Sequence, residues 1–244
     1  MKKLGEVLNN HTVYANEELN NWAEREGLIL QEKYLLEKYL PNRGKLIEAG
    51  TGGGRISLEI GKMNKSLDIF AFDFVEEMIE YARLKSSTVD FQIADASDLS
   101  FLEDQTFDIA IYLQQIISLI PHAMISQTLD ESYRILKKDG IIIFSFLYFK
   151  GRRINSTLSY ITNFIRVLRG ESWEKGCLPW LKLGGKANFR LFQKSQAMTY
   201  WFEKDEIVNM LEARGFHILE VSTSKEIANE TERAEGMLYI VCGK

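Results

Sequence analysis

Cysteine is nearly absent: Cys177 and Cys242 are the only two in a chain of 244 residues. Their spacing matches no zinc pattern and no disulfide framework, so no metal site is expected and a reducing compartment is. Long apolar runs are missing as well. The longest, IIIFSFLYF from Ile141 to Phe149, is too short to span a bilayer. The opening MKKLGEVLNNHTVYANEEL has no apolar core of the kind a secretory leader needs, so cytoplasmic residence is the expectation. Neither sign of charge dominates. A formal net charge of -4 gives the chain as a whole no footing as a nucleic-acid binder. Repeats and low-complexity segments are also lacking. What remains is the composition of a soluble globular protein, long enough for one large domain or two small ones.

Short apolar runs alternate with helix-like segments through the first 150 residues. Strands are expected at 45–50, 67–73, 89–95, 107–113 and 141–147. Helices are expected at 54–63, 74–85 and 123–140, the last with Gly140 just beyond its end. Such alternation implies βαβ units and a parallel sheet. The strands are apolar throughout rather than alternating, as when helices cover both faces. The pattern breaks at Lys150 and resumes with a helix at 202–215 closed by Gly215. Strands at 216–223 and 237–242 follow. No clear helix lies between them, although 224–236 has room for a short helical turn, so an antiparallel pairing is expected. The fold class is therefore α/β: a doubly wound, mostly parallel seven-stranded sheet, its last strand antiparallel, with an inserted helical segment.

Four glycines fall within KLIEAGTGGGRISLEI, at Gly50, Gly52, Gly53 and Gly54, between the first strand and its helix. Glycine costs conformational entropy, so the cluster marks a close approach to the backbone. In doubly wound folds that turn cradles a ligand at the carboxyl ends of the strands. A dinucleotide fingerprint, G-x-G-x-x-G, fits in neither register, since Arg55 or Ser57 stands where the third glycine belongs. The Gly-Lys-Ser/Thr ending of a phosphate loop is absent too.

The pattern present is E-x-G-x-G-x-G, with Glu48, Gly50, Gly52 and Gly54. It resembles the first motif of the class I S-adenosylmethionine (SAM)-dependent methyltransferases. SAM carries an ammonium, a sulfonium and an adenosine but no diphosphate, and a carboxylate at Glu48 suits an ammonium. Asp73, ending the second strand, stands where the family binds the ribose hydroxyls. The resemblance also implies Phe74 and Met78 near the adenine, Asp95 and the backbone of Ala96 reading its edge, and Thr51 and Gln114 among the cofactor contacts. YRILKKDGIIIFSF resembles the family's approach to strand five, with Lys138-Asp139 in place of Pro-Gly. The likeness covers 45–147 strongly and 200–242 weakly. Each residue also has a plainer use. Gly53 and Gly54 suit close helix–strand packing, Asp73 suits helix capping, Asp95 suits a turn, and Gln114 suits an ordinary loop.

Methyltransferases that act on amides or base amino groups often carry Asn/Asp-Pro-Pro-aromatic after strand four. Here Leu113-Gln114-Gln115-Ile116 stands instead. A small-molecule acceptor is therefore expected, at oxygen. His122 is a candidate base near the site's mouth, with a helix-start role as the alternative. Tyr14, in a segment resembling the family's N-terminal cover, is a candidate contact with the methionine end of SAM. The expected divisions of a single domain are 1–44 over the cofactor, 45–149 binding SAM, 150–200 as an insert and 201–244 completing the sheet.

The insert is basic, with ten lysines and arginines against Glu171 and Glu174. Residues 155–170 read as an amphipathic helix capped by Asn155 or Ser156, with Leu158, Ile161, Ile165 and Leu168 on one face. A substrate lid drawing in an anionic small molecule is the preferred reading, ahead of peripheral membrane contact through 155–170 or contact with RNA. Two further function classes stay open: a non-catalytic SAM-sensing or RNA-binding module, and a NAD(P)-dependent oxidoreductase.

Overall fold

The computed structural model describes residues 25–183, 186–188, 198–230 and 235–244. Tyr14, Arg190 and Lys194 lie outside them. Elements are numbered in chain order. A helix α1 (Leu30–Tyr39) leads into the alternating series β1 (Gly44–Ala49), α2 (Arg55–Met63), β2 (Leu67–Asp73), α3 (Glu76–Lys85), β3 (Asp90–Ile93) and β4 (Phe107–Tyr112). A short α4 (Ile116–Leu119) and a longer α5 (His122–Ile135) precede β5 (Leu136–Leu147). The insert supplies α6 (Asn155–Leu168), β6 (Cys177–Pro179), β7 (Lys182–Leu183), β8 (Lys186–Ala187) and β9 (Met198–Tyr200). The chain then returns to the body with α7 (Lys204–Glu212), β10 (His217–Thr223), α8 (Ser224–Ala228) and β11 (Met237–Gly243).

Seven strands form one sheet in the order β10-β11-β5-β4-β1-β2-β3. β1 to β5 run parallel, and β11 pairs antiparallel with both β5 and β10. This is the doubly wound, mostly parallel sheet expected from the alternation, with its last strand reversed. Apolar clusters cover both faces. One gathers Ile47, Phe72, Ala110, Phe144 and Ile240, and the other Leu46, Ile69, Ile109, Ile143 and Val241. Successive residues of one strand thus enter opposite cores, and each strand reads as a continuous apolar run.

Two boundaries differ from expectation. The helix expected to 140 stops at Ile135, and Gly140 lies inside β5 rather than past a helix end. The buried Leu136 pairs with Phe107, and Lys137 reaches the Asp108 carboxylate at 2.8 Å. These contacts draw the backbone into the sheet five residues early. The segment 224–236 holds the helical turn allowed for it, α8, capped by the Thr223 hydroxyl at the amide of Glu226.

In the insert, neither Asn155 nor Ser156 caps α6; Ile154 holds that position without a side-chain bond. Asn155 is buried and donates to the carbonyl of Phe149 at 2.9 Å. The expected apolar face is not the buried one. Leu158 is buried, but Ile161 and Leu168 are exposed. The inward side carries Asn155, Ser159, Thr162 and Asn163. It satisfies the backbone of the following loop. Ser159 donates to the carbonyl of Lys175 at 2.7 Å, and Asn163 accepts from the amide of Glu174 at 2.7 Å. Among the described residues no helix is long and apolar enough to cross a membrane.

Gly54 shows what the turn after β1 demands. Its φ is +82°, and a Cβ there would lie 2.9 Å from Cζ of Phe91 and 3.3 Å from Cβ of Ala82. Gly54→Ala is expected to destabilise the fold by about 1–3 kcal/mol through backbone strain and overpacking. A lower urea midpoint at unchanged m-value checks this.

Candidate functional site

The parallel strands β1 to β4 all end on one rim, and a cleft of about 1130 Å³, open at its mouth, lies there. Each strand sends its next residues into the wall. Gly50, Thr51 and Gly52 follow β1, Phe74 and Val75 follow β2, Ala94 to Ala96 follow β3, and Gln114 follows β4. Position beside the sheet thus gathers residues distant in sequence. Of the cofactor contacts expected from sequence, Glu48, Gly50, Thr51, Gly52, Asp73, Phe74, Met78, Asp95, Ala96 and Gln114 all line this cleft. Gly54 does not; it packs α2 against Phe91 and Ala82, its plainer use.

The turn is held by carboxylates. Asp73 accepts from the amide of Gly52 at 2.8 Å through Oδ2 and from the amide of Val75 at 3.0 Å through Oδ1. It therefore joins the glycine turn to the start of the next helical segment. Asp95 accepts from the amide and the hydroxyl of Ser97, both at 2.8 Å, and so also fixes its own turn. Glu48 is buried at the end of β1. Its Oε2 takes the hydroxyl of Thr51 at 2.8 Å, the amide of Ser57 at 3.0 Å and the hydroxyl of Ser57. Oε1 takes none of these. Burial pushes Glu48 up to about 7, against the pull of the Ser57 and Thr51 hydrogen bonds and of the Arg55 charge.

Sequence reasoning missed the cation beside this turn and its partner. Arg55, the first residue of α2, is buried and lines the cleft. Its guanidinium meets Glu32 of α1 through two bonds, at 2.7 and 2.6 Å, and the carbonyl of Gly27 at 2.7 Å. Burial works against that charge, and the Glu32 carboxylate more than offsets it. The Gln114 amide also donates to Glu32. One buried carboxylate therefore links α1, the glycine turn and the loop after β4. An arginine directly after a glycine turn was the available signal, but nothing local pointed to an acid 23 residues earlier.

That loop is under strain. Gln114 and Gln115 both take positive φ, +56° and +61°. Neither is glycine, and such pairs persist where the surroundings over-determine them, commonly at ligand sites. Ser145 accepts the Gln115 amide at 2.9 Å. Beyond it, Ile116, Leu119, Ile120, Pro121 and Met124 complete an apolar wall. His122, one of the two candidate residues for catalysis, is not in the lining. Its ring stacks on Tyr200 at 4.3 Å between centroids and 4° between planes.

Residues 46–140 match the family model described as a methyltransferase domain. That segment, less than half of the chain, is similar to a methyltransferase domain, in keeping with the resemblance to class I SAM-dependent enzymes. Among curated proteins, a Bacillus subtilis protein named as a methyltransferase, YqeM, is 25% identical over 112 residues. That stretch is 45% of this chain and 44% of the relative, so the chain matches less than half of that protein's length. Carboxy-S-adenosyl-L-methionine synthase of Nautilia profundicola is 25% identical over 192 residues, 77% of this chain and 75% of the relative. Among solved structures, a SAM-dependent methyltransferase of Methanosarcina mazei aligns with a TM-score of 0.63 at 20% identity. The alignment covers 86% of this chain and 96% of that one. It shows a shared fold.

The methyltransferase domain implies SAM, and the lining fits it. A Cβ at Gly50 would run into Ile116 whereas the space over Gly52 is open, the Oε1 of Glu48 takes none of the turn's hydrogen bonds, and Phe74 is 37% exposed on the rim. Glu48 also yields a proton count. A carboxyl near pKa 7 in the fold and 4.5 outside it makes the fold less stable as pH rises through that window. A bound ammonium lowers that pKa. At a pH just below 7, SAM binding is therefore expected to release protons relative to the Glu48→Gln variant. Calorimetry in buffers of different ionisation enthalpy measures this, and equal release by both proteins would contradict it.

Proposed function

We propose that this protein transfers the methyl group of SAM to a small molecule with an apolar body, at an oxygen that ionises without help. The observation that carries this reading is the two-sided cleft. Its cofactor side holds the glycine turn and the carboxylates of Glu48, Asp73 and Asp95. Its other wall is Ile116, Leu119, Ile120, Pro121 and Met124. SAM, when bound, supplies an activated methyl on a positively charged sulfur. The chain's part is to hold and align the acceptor, and such positioning can be worth about 7–11 kcal/mol. The apolar wall suits an acceptor's body and excludes water.

Chemistry narrows the acceptor. Among the described residues, the titratable side chains of the lining are Glu48, Arg55, Asp73 and Asp95. All belong to the cofactor side, and none is suited to take a proton from a neutral alcohol, which requires a positioned base. A carboxylate or an acidic hydroxyl meets the requirement unaided. Arg55, the cation of this lining, is already matched by Glu32. That lends no support to an acceptor held through a second, free anionic group. Leu113-Gln114-Gln115-Ile116 supports the same side, because it lacks the tetrapeptide used on amides and base amines.

The relative named carboxy-S-adenosyl-L-methionine synthase covers 77% of this chain, which gives a second reading: modification of SAM itself. A carboxylated nucleoside needs a cation for its added charge, and the matched Arg55 is a poor candidate.

Incubation with methyl-labelled SAM and a metabolite extract, scored by mass, separates these readings. Label in an acceptor supports methyl transfer, and a carboxylated nucleoside supports the second. Asp73→Ala is expected to weaken SAM binding roughly 10–100-fold, the loss of charge-assisted hydrogen bonds. Calorimetry at matched folded fraction checks it, and unchanged affinity would contradict the assignment.

A further inference from the structure

We infer that the outward face of α6 is a docking surface for an anionic lipid membrane. The helix is amphipathic but turned the unusual way. Its polar side faces the body and is consumed by the loop at 171–176. Its outer side presents Ile154, Tyr160, Ile161, Phe164, Val167 and Leu168. Phe164 is 54% exposed and Leu168 72%. At 100° per residue these six fall within one arc opposite Asn155, Ser159 and Thr162, with Thr157 among them and no charge. Trp173 extends the patch, half exposed and edge-on to Tyr160 at 6.1 Å. A contiguous apolar stripe along a helix about 21 Å long is more than the scattered exposure common on protein surfaces.

Charge selects the occupant. Lys150, Arg152 and Arg153 stand at the amino end of the helix, and Arg166 and Arg169 at the carboxyl end. Lys150 and Arg153 are exposed and have no carboxylate partner among the described residues. Arg152 lies over the Trp201 ring at 4.5 Å. From 150 to 188 there are eight cations against Glu171 and Glu174, in a chain whose total is -4. A second copy of the chain fits poorly. Whether two such helices pair parallel or antiparallel, cationic ends meet cationic ends, and the like charges repel. An anionic surface meets both features at once. It takes the apolar stripe and the Tyr160–Trp173 pair at the headgroup level, while the exposed Lys150 and Arg153 reach phosphates; Arg166 points inward, to the carbonyl of Glu174 and the Sγ of Cys177.

The position has a consequence for the cleft. α6 packs on β6, β6 pairs with β9, and β9 packs against α4, whose Ile116 and Leu119 belong to the apolar wall. A membrane seated on α6 would therefore bear on the element that walls the cleft. The surface itself is argued from α6 alone and does not rest on methyl transfer.

Flotation of the full-length protein with phosphatidylcholine vesicles, with and without phosphatidylglycerol, tests the inference. Binding is expected on the anionic vesicles and to fall with added salt. Phe164→Glu with Leu168→Glu should weaken it roughly tenfold or more, and Lys150→Glu with Arg153→Glu should weaken it on anionic vesicles alone. All four positions are exposed, so thermal midpoints should stay near that of the parent. Failure to float with anionic vesicles would overturn the inference and leave the face to an acidic protein partner. Flotation indifferent to the Phe164/Leu168 pair would overturn it too. So would a dimer in light scattering that the same pair dissolves.

Discussion

The amide of Gly52 donates to the carboxylate of Asp73 across the ends of two neighbouring strands, and the rest of the site is arranged around that bond. A hydrogen bond to an ionised acceptor is worth about 1.5–3 kcal/mol. The bond is available only because the chain turns sharply at Gly50, Gly52 and Gly54, all at positive φ. The same turn starts α2 with Arg55 pointing back to Glu32, and Glu32 reaches Gln114 across the cleft. A backbone conformation affordable to glycine thus sets the positions of a carboxylate, a buried ion pair and a strained loop. The ion pair is weak evidence of net stability, because removing two charges from water is expensive. Its evident effect is to fix three separate segments around one cleft.

The core and the cofactor wall were legible because they depend on local, periodic signals. Strands covered on both faces are apolar throughout, and their order follows from alternation with helices. Glu48, the glycines, Asp73 and Asp95 each sit at a strand end, so finding the strands found them. Other features depend on contacts between distant segments. Glu32 reads as an ordinary surface position of α1 until Arg55 is seen to bury against it. The early start of β5 depends on Leu136 meeting Phe107, which no window of sequence contains.

The insert shows a different limit. Periodicity correctly gave an amphipathic helix near 155–170 and a stop at Gly170, whose φ is +72°. It did not give which side faces inward. The usual rule buries the apolar side, but the backbone of 171–176 needs hydrogen-bond partners, and Ser159 and Asn163 are within reach. Satisfying buried backbone groups outweighed burying Ile161, Phe164 and Leu168. The tryptophans divide in the same way: Trp201 packs with Leu158 and Leu178, whereas Trp173 stays half exposed.

We propose that a sulfonium nucleoside lies over Gly50 to Gly52, with its ribose at Asp73 and its amino group at Glu48. A crystal structure grown with S-adenosylhomocysteine tests this most directly. The account predicts density for the nucleoside along that turn, with the thioether sulfur facing the wall of Ile116, Leu119 and Met124. A structure in which the nucleoside is absent from the cleft, while a nicotinamide dinucleotide soaked under the same conditions fills it, would contradict the account.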